Sequence, residues 1–249
     1  MKNCVLCCML IGTLALLLGC RKEEKVPKVE TVVAKFTATP IILDGKLEDA
    51  AWKNASAYKM TGALDRWKEP RPLTEGGEAR FAWDDNFFYV GIQFTDSDIV
   101  AEGEEDQLHH YRMGDLVELF IKPAEQTWYW ELYATPKSKK TSFWFPGRGR
   151  LGLESCYQYK CGLQVAAQCD GTLNNWEDKD KEWCAEMAMP IADLTARGEK
   201  FLPESKWRIL VSRYNYSRYV PWVELSAIGP LPRPSYHIYE RYAVLKLVK

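Results

Sequence analysis

The chain has 249 residues, 33 basic and 34 acidic, and a formal net charge of -1. That balance leaves no basic excess or stripe, which excludes the electrostatic footprint of a nucleic-acid-binding protein. Hydrophobic residues are 47% and aromatics 13%, with 10 Trp and 13 Tyr, so a core can be built with rings left over for a binding surface.

Lys2 gives a short basic start, and Val5 to Leu18 is an almost unbroken apolar run. The run is too short for a comfortable membrane span and has the build of a secretory signal peptide. It ends in Leu17-Leu18-Gly19-Cys20, which resembles the lipobox of bacterial lipoproteins, where the cysteine is lipidated and becomes the first mature residue. The expectation is a signal peptide over 1–19, lipidation at Cys20, and a charged flexible tether over 20–35. Lys22, Glu23 and Glu24 resemble an export signal of surface lipoproteins in Gram-negative bacteria. The implied location is the bacterial cell envelope, anchored at the outer membrane through lipid alone, facing either the periplasm or the outside.

From Phe36 to Lys249 the length suits one all-β domain. Lys46 to Ala55 reads as a short helix. Glu78 to Trp83 and Phe87 to Phe94 read as a hairpin across Asp84-Asp85-Asn86. Strand patterns follow at 115–122, 127–136, 140–145, 159–168, 182–190, 207–215 and 241–249, and Pro190 to Leu194 reads as one helical turn led by its proline. Many short strands with one or two short helices predict a single β-sandwich of jelly-roll type.

The stretch Asp115 to Lys122 alternates. Val117, Leu119 and Ile121 form a purely apolar face, while Leu116, Glu118, Phe120 and Lys122 point the other way. In the next strand Trp128, Trp130, Leu132 and Ala134 read as core, and Tyr129, Glu131 and Tyr133 as a polar-aromatic face. Paired as a hairpin, the two strands place Glu118 and Glu131 on one exposed face beside tyrosine rings. Rings stack on pyranose faces and carboxylates bond hydroxyls, so such a face suits a sugar.

Cys156, Cys161, Cys169 and Cys184 remain outside the leader, and an even count outside the cytoplasm invites disulfides. Cys169 and Cys184 flank a hairpin-like loop and are one candidate pair; free buried thiols are the equal alternative. Trp67 and Trp144 read as loop aromatics that extend a cleft or pack, and Trp52, Trp83, Trp128, Trp183 and Trp207 as core.

Five stretches in order together resemble the family 9 carbohydrate-binding modules and their family 9-like relatives. "PIILDGKLEDAAWKNA" resembles the opening Asp-Gly turn and helix-closing Trp; "ARFAWDDNFFYVGIQFTDSDI" the first hairpin; "GDLVELFIKP" the Asp-x-Val-Glu strand; "EWCAEMAMPIADL" the Glu-x-x-x-Pro strand; and "SYHIYERYAVLKLVK" the closing segment. The resemblance implies a β-sandwich over 36–249 that binds carbohydrate without catalysis. By position it implies Tyr111, Arg112, Glu118, Glu131, Arg213, Arg233, Tyr236 and His237 as the carbohydrate-binding residues. Two aromatic rings sandwich a chain end in characterised members; here Tyr or Arg stands at one place and Tyr at the other, where Trp is usual. Family members can also hold structural calcium, and Asp96, Asp98 and Glu102 are the candidate ligands. The implied partners are a poly- or oligosaccharide and polysaccharide-degrading enzymes. Three alternatives stay open: a glycosidase using Glu118 and Glu131, a haem-binding sandwich using His109, His110 or His237 with Met113, Met187 or Met189, and a surface lipoprotein that binds another protein.

Overall fold

The structure is a computed structural model that describes residues 29–65, 69–157 and 159–249. The expected leader, the expected lipidation site Cys20, the start of the expected tether and Trp67 lie outside the described residues.

Twelve strands form one continuous hydrogen-bonded sheet, folded as a β-sandwich. They are β1 (Thr31–Phe36), β2 (Tyr58–Gly62), β3 (Gly77–Trp83), β4 (Phe87–Thr95), β5 (Leu116–Pro123), β6 (Tyr129–Ala134), β7 (Lys140–Phe145), β8 (Gln164–Asp170), β9 (Glu182–Pro190), β10 (Trp207–Asn215), β11 (Glu224–Ile228) and β12 (Ala243–Val248). The main path runs β7-β6-β5-β10-β11-β2-β3-β4-β9-β8. One edge of β10 is shared: β12 pairs with residues 207–209 and β11 with 212–215. One edge of β3 is shared the same way, by β2 and β1. Because β1 also pairs with β12, the sheet closes on itself between β10 and β3, leaving two blades, β5-β6-β7 and β4-β9-β8.

The strands expected from alternation are present, except that the one expected over 159–168 begins only at Gln164 and runs to Asp170. Helices are short: α1 (Ala50–Asn54), α2 (Glu154–Tyr157) and α3 (Ile191–Thr195), the last capped by Pro190. The flexible tether expected over 20–35 is overturned at its end. Val32 and Ala34 are fully buried, and Thr31 to Lys35 pair in parallel with Val244 to Val248. Its apolar residues, Val32 and Ala34, alternate with exposed Thr31 and Lys35, which is a strand pattern hidden in a charged neighbourhood. The domain therefore starts at least five residues before Phe36.

Several motif residues are structural. Glu186, fully buried on β9, accepts the backbone N–H groups of Asp44 (2.8 Å) and Gly45 (2.7 Å) and the indole N–H of Trp52 (2.7 Å). The Asp-Gly turn, the helix Trp and the Glu-x-x-x-Pro strand are thus three parts of one clamp. Gly45 has φ +79°, and a Cβ there would lie 2.6 Å from the Ala167 carbonyl carbon. Asp115 accepts the N–H groups of Val100 and Tyr216, both at 2.7 Å, which fixes the entry to β5.

The four cysteines among the described residues, Cys156, Cys161, Cys169 and Cys184, are free. The β8–β9 register pairs Gln168 with Cys184 and Cys169 with Trp183. Cys169 and Cys184 are one step out of register, so they point to opposite faces and cannot bridge.

Candidate functional site

One face of five adjacent strands builds a floor. Across the register run Phe143 and Phe145 on β7, Glu131 and Tyr133 on β6, Glu118 and Phe120 on β5, Ser212 and Tyr214 on β10, and Leu225 on β11. Tyr111, the segment from Leu151 to Tyr157, and the loop Pro234 to His237 wall it in. The enclosed pocket has a volume of about 310 Å³. This is near the small end for ligand sites and suits one or two sugar rings.

Glu118 and Glu131 sit diagonally on that floor, since Glu118 pairs with Tyr133 and Phe120 with Glu131. The face is not exposed as expected from the sequence: the walls reduce Glu118 to 2% and Glu131 to 5% exposure. Ser212 donates its hydroxyl to Glu118 Oε2 at 2.9 Å. Tyr133 donates to Glu131 Oε1 and is the cross-strand partner of Glu118. Glu131 Oε2 is buried with no hydrogen-bond partner. Burial, and then the charge of Glu131, hold Glu118 well above the usual carboxylate range. Burial raises Glu131 to about 8. His237 lies 3.8 Å from Glu131 through Nε2 and 2.9 Å from the Tyr129 hydroxyl through Nδ1. Burial, and then the nearby Arg148 charge, lower it to about 4, so it is neutral at pH 7.

Of the residues the resemblance implies, Tyr111, Glu118, Glu131, Tyr236 and His237 converge on the pocket. Tyr236 offers only its ring: it is buried, and its hydroxyl bonds the carbonyls of Arg213 (2.8 Å) and Ser226 (3.1 Å). Three residues depart. Arg213 pairs with Val117, on the opposite face of β10 from Ser212, and points into the sandwich. There it donates to Asp96 Oδ2 at 2.7 Å and lies 4.6 Å over the Phe94 ring, a buried ion pair across the core. Arg112 is exposed and lies over the Tyr111 ring at 5.1 Å, outside the pocket lining. Arg233 is exposed, and only its neighbour Pro234 reaches the wall.

The candidate calcium ligands do not assemble. Asp96 is committed to Arg213 and to the Asp98 N–H, Asp98 accepts the Arg218 N–H, and Glu102 is exposed. Among the described residues no cluster of three or more acidic, His or Cys side chains could hold a metal. Of the haem candidates, His237 lines the pocket and bonds the Tyr129 hydroxyl. His110 has both ring nitrogens engaged, by Thr141 at 2.7 Å and the Glu105 carbonyl at 3.0 Å, and among the described residues no Met lines the pocket. Trp144 leaves the cleft: it pairs with Trp130 on the opposite face of β6–β7, with Arg197 lying 4.0 Å over its ring.

Sequence reasoning passed over Tyr214, Phe143 and Tyr157. Tyr214 was readable in principle, since it alternates with Arg213 on a strand beside β5. Tyr157 comes from α2, which has no periodic signal.

The architecture is a β-sandwich with an aromatic, acidic pocket on one sheet face. Residues 42–144 match the family model "carbohydrate family 9 binding domain-like", so the resemblance read from the sequence holds over that stretch. A Bacteroides uniformis protein proposed to bind carbohydrate shares the fold with a TM-score of 0.65 at 10% identity, over 88% of this chain and 100% of that one. A family 9 carbohydrate-binding module of Caldicellulosiruptor kristjanssonii, solved with cellotriose, gives a TM-score of 0.57 at 12% identity, over 88% of this chain and 94% of that one. Its glucose complex gives 0.56 at 11% identity, over 86% and 95%. At these identities the likeness is one of fold. No curated protein matches the sequence.

Proposed function

We propose that the protein captures a poly- or oligosaccharide, without catalysis, in the pocket over Glu118 and Glu131. The observation that carries this reading is Glu131, which lines a ring-walled pocket and whose Oε2 is a buried acceptor with no partner. A buried polar atom left unpaired is costly, and a ligand hydroxyl would satisfy it. The sugar-bearing neighbours and the family model support the ligand class. A lipid at Cys20 would hold the domain at the envelope, where it would present glycan to polysaccharide-degrading enzymes.

The glycosidase alternative finds one supporting observation, since both carboxyls are buried with raised proton affinity. Their placement argues for binding. They are diagonal neighbours on one sheet face and share Tyr133, so both meet a ligand from the same side. Glycoside hydrolysis needs an acid and a second carboxylate flanking the scissile bond.

Calorimetry with cello- and xylo-oligosaccharides, on the protein and on Glu118→Gln and Tyr157→Ala, tests the reading. Binding that is lost in both variants while near-UV circular dichroism is retained is the expected result. Release of shorter sugars during incubation would replace binding by catalysis. Retention of the Cys20→Ala variant in the membrane fraction would remove the anchor.

A further inference from the structure

Three other buried acids have fuller sets of donors, although burial raises their proton affinity as well. Asp96 has the Arg213 guanidinium, Glu186 has three N–H donors, and Asp115 has two backbone N–H groups. Glu118 and Glu131 have two neutral hydroxyl donors between them, from Ser212 and Tyr133. Among the described residues no Lys or Arg lines their pocket. Arg148, the cation that acts on His237, is held in a two-pronged pair with Glu240 at 2.8 and 2.9 Å. The pocket is thus an acidic floor under a cage of rings, with Tyr111, Phe143, Tyr157 and Tyr214 presenting π-faces or edges around it.

Such a cage is short of one positive charge. A neutral sugar hydroxyl can bond Glu131 Oε2 but cannot let this buried pair, in which Glu131 holds its proton up to about pH 8, give up that proton and ionise. A protonated amine does both, because it brings three N–H donors and a charge, and aromatic walls favour a cation over their faces. We infer that the ligand is a sugar carrying a free amino group, its ammonium seated between Glu118 and Glu131; this rests on the carbohydrate reading of the same pocket. The same electrostatics disfavour an acidic sugar, whose carboxylate would meet two acids and no cation.

The test is a calorimetric comparison of the glucosamine trimer with its matched neutral and acidic analogues: cellotriose, the N-acetylglucosamine trimer and a glucuronic acid oligomer. At pH 7 the free amine should bind about tenfold tighter than cellotriose, because charge-assisted hydrogen bonds are roughly twice as strong as neutral ones. The N-acetylated trimer should lose that advantage and the glucuronic acid oligomer should not bind. In Glu131→Gln the ratio of amine to neutral affinity should fall towards one. Equal or tighter binding of cellotriose by the unmodified protein would overturn the amine while leaving the carbohydrate reading intact. No binding of any of the four would overturn both. An amine preference that persists in folded Glu118→Gln and Glu131→Gln would place the ammonium elsewhere and overturn the site.

Discussion

Replacing Glu131 by Gln should stabilise the protein, and increasingly so as pH rises. Glu131 carries its proton up to about 8 in the folded state, against an ordinary 4.5. The folded state therefore binds more protons than the unfolded chain between those values, and the wild type loses stability as pH rises through that window. At about 1.4 kcal/mol per pH unit, the loss reaches about 3 kcal/mol by pH 7 and about 5 kcal/mol above pH 8. Glutamine keeps the shape and can accept the Tyr133 hydroxyl, but it has no charge to bury. Urea unfolding of both proteins at pH 5 and pH 8 reads the effect. The stability difference, variant minus wild type, should grow by about 3 to 4 kcal/mol between the two pH values. Parallel pH profiles would mean that Glu131 is ionised and hydrated in the folded protein, and the argument for a charge-starved pocket would fail with it.

Four further outcomes follow from the packing. Glu186→Ala should cost about 3 kcal/mol in urea unfolding, because it orphans the Trp52 indole and the Asp44 and Gly45 N–H groups. Gly45→Ala should lower the thermal midpoint by several degrees, since φ is +79° and the new Cβ would strike Ala167 backbone. Asp96→Ala should destabilise by about 3 to 5 kcal/mol by stranding the buried Arg213, whereas a calcium ligand would make that loss depend on added calcium. A chain beginning at Phe36 should unfold at markedly lower urea than one beginning at residue 29, because it lacks the strand that carries buried Val32 and Ala34.

The sandwich and the key hairpin were legible because alternation is strict where one face is core. Glu118 and Glu131 fall between apolar positions with a period of two, and a β5–β6 hairpin then forces them onto one face. What alternation could not give was which face a charged residue occupies when both faces are buried. Arg213 lies on a strand whose two sides are equally covered, and only the position of Asp96 makes its side the interior. The burial of the acids was hidden for the same reason, since the walls come from irregular segments such as Leu151 to Tyr157 and Pro234 to His237. β1 was hidden by its length of six residues and its charged surroundings, and it is held by pairing with the distant β12. That Cys169 and Cys184 do not pair follows from a one-residue register that spacing along the chain does not reveal.

A crystal structure of the protein with a bound oligosaccharide tests the central claim most directly. The account predicts a sugar ring in the pocket, with one of its polar atoms at hydrogen-bond distance from Glu131 Oε2 and Tyr157 or Tyr214 against it. A sugar seated instead on the exposed rings of Trp176 or Trp222, which are 70% and 83% exposed, would contradict it and move the binding surface to the loops.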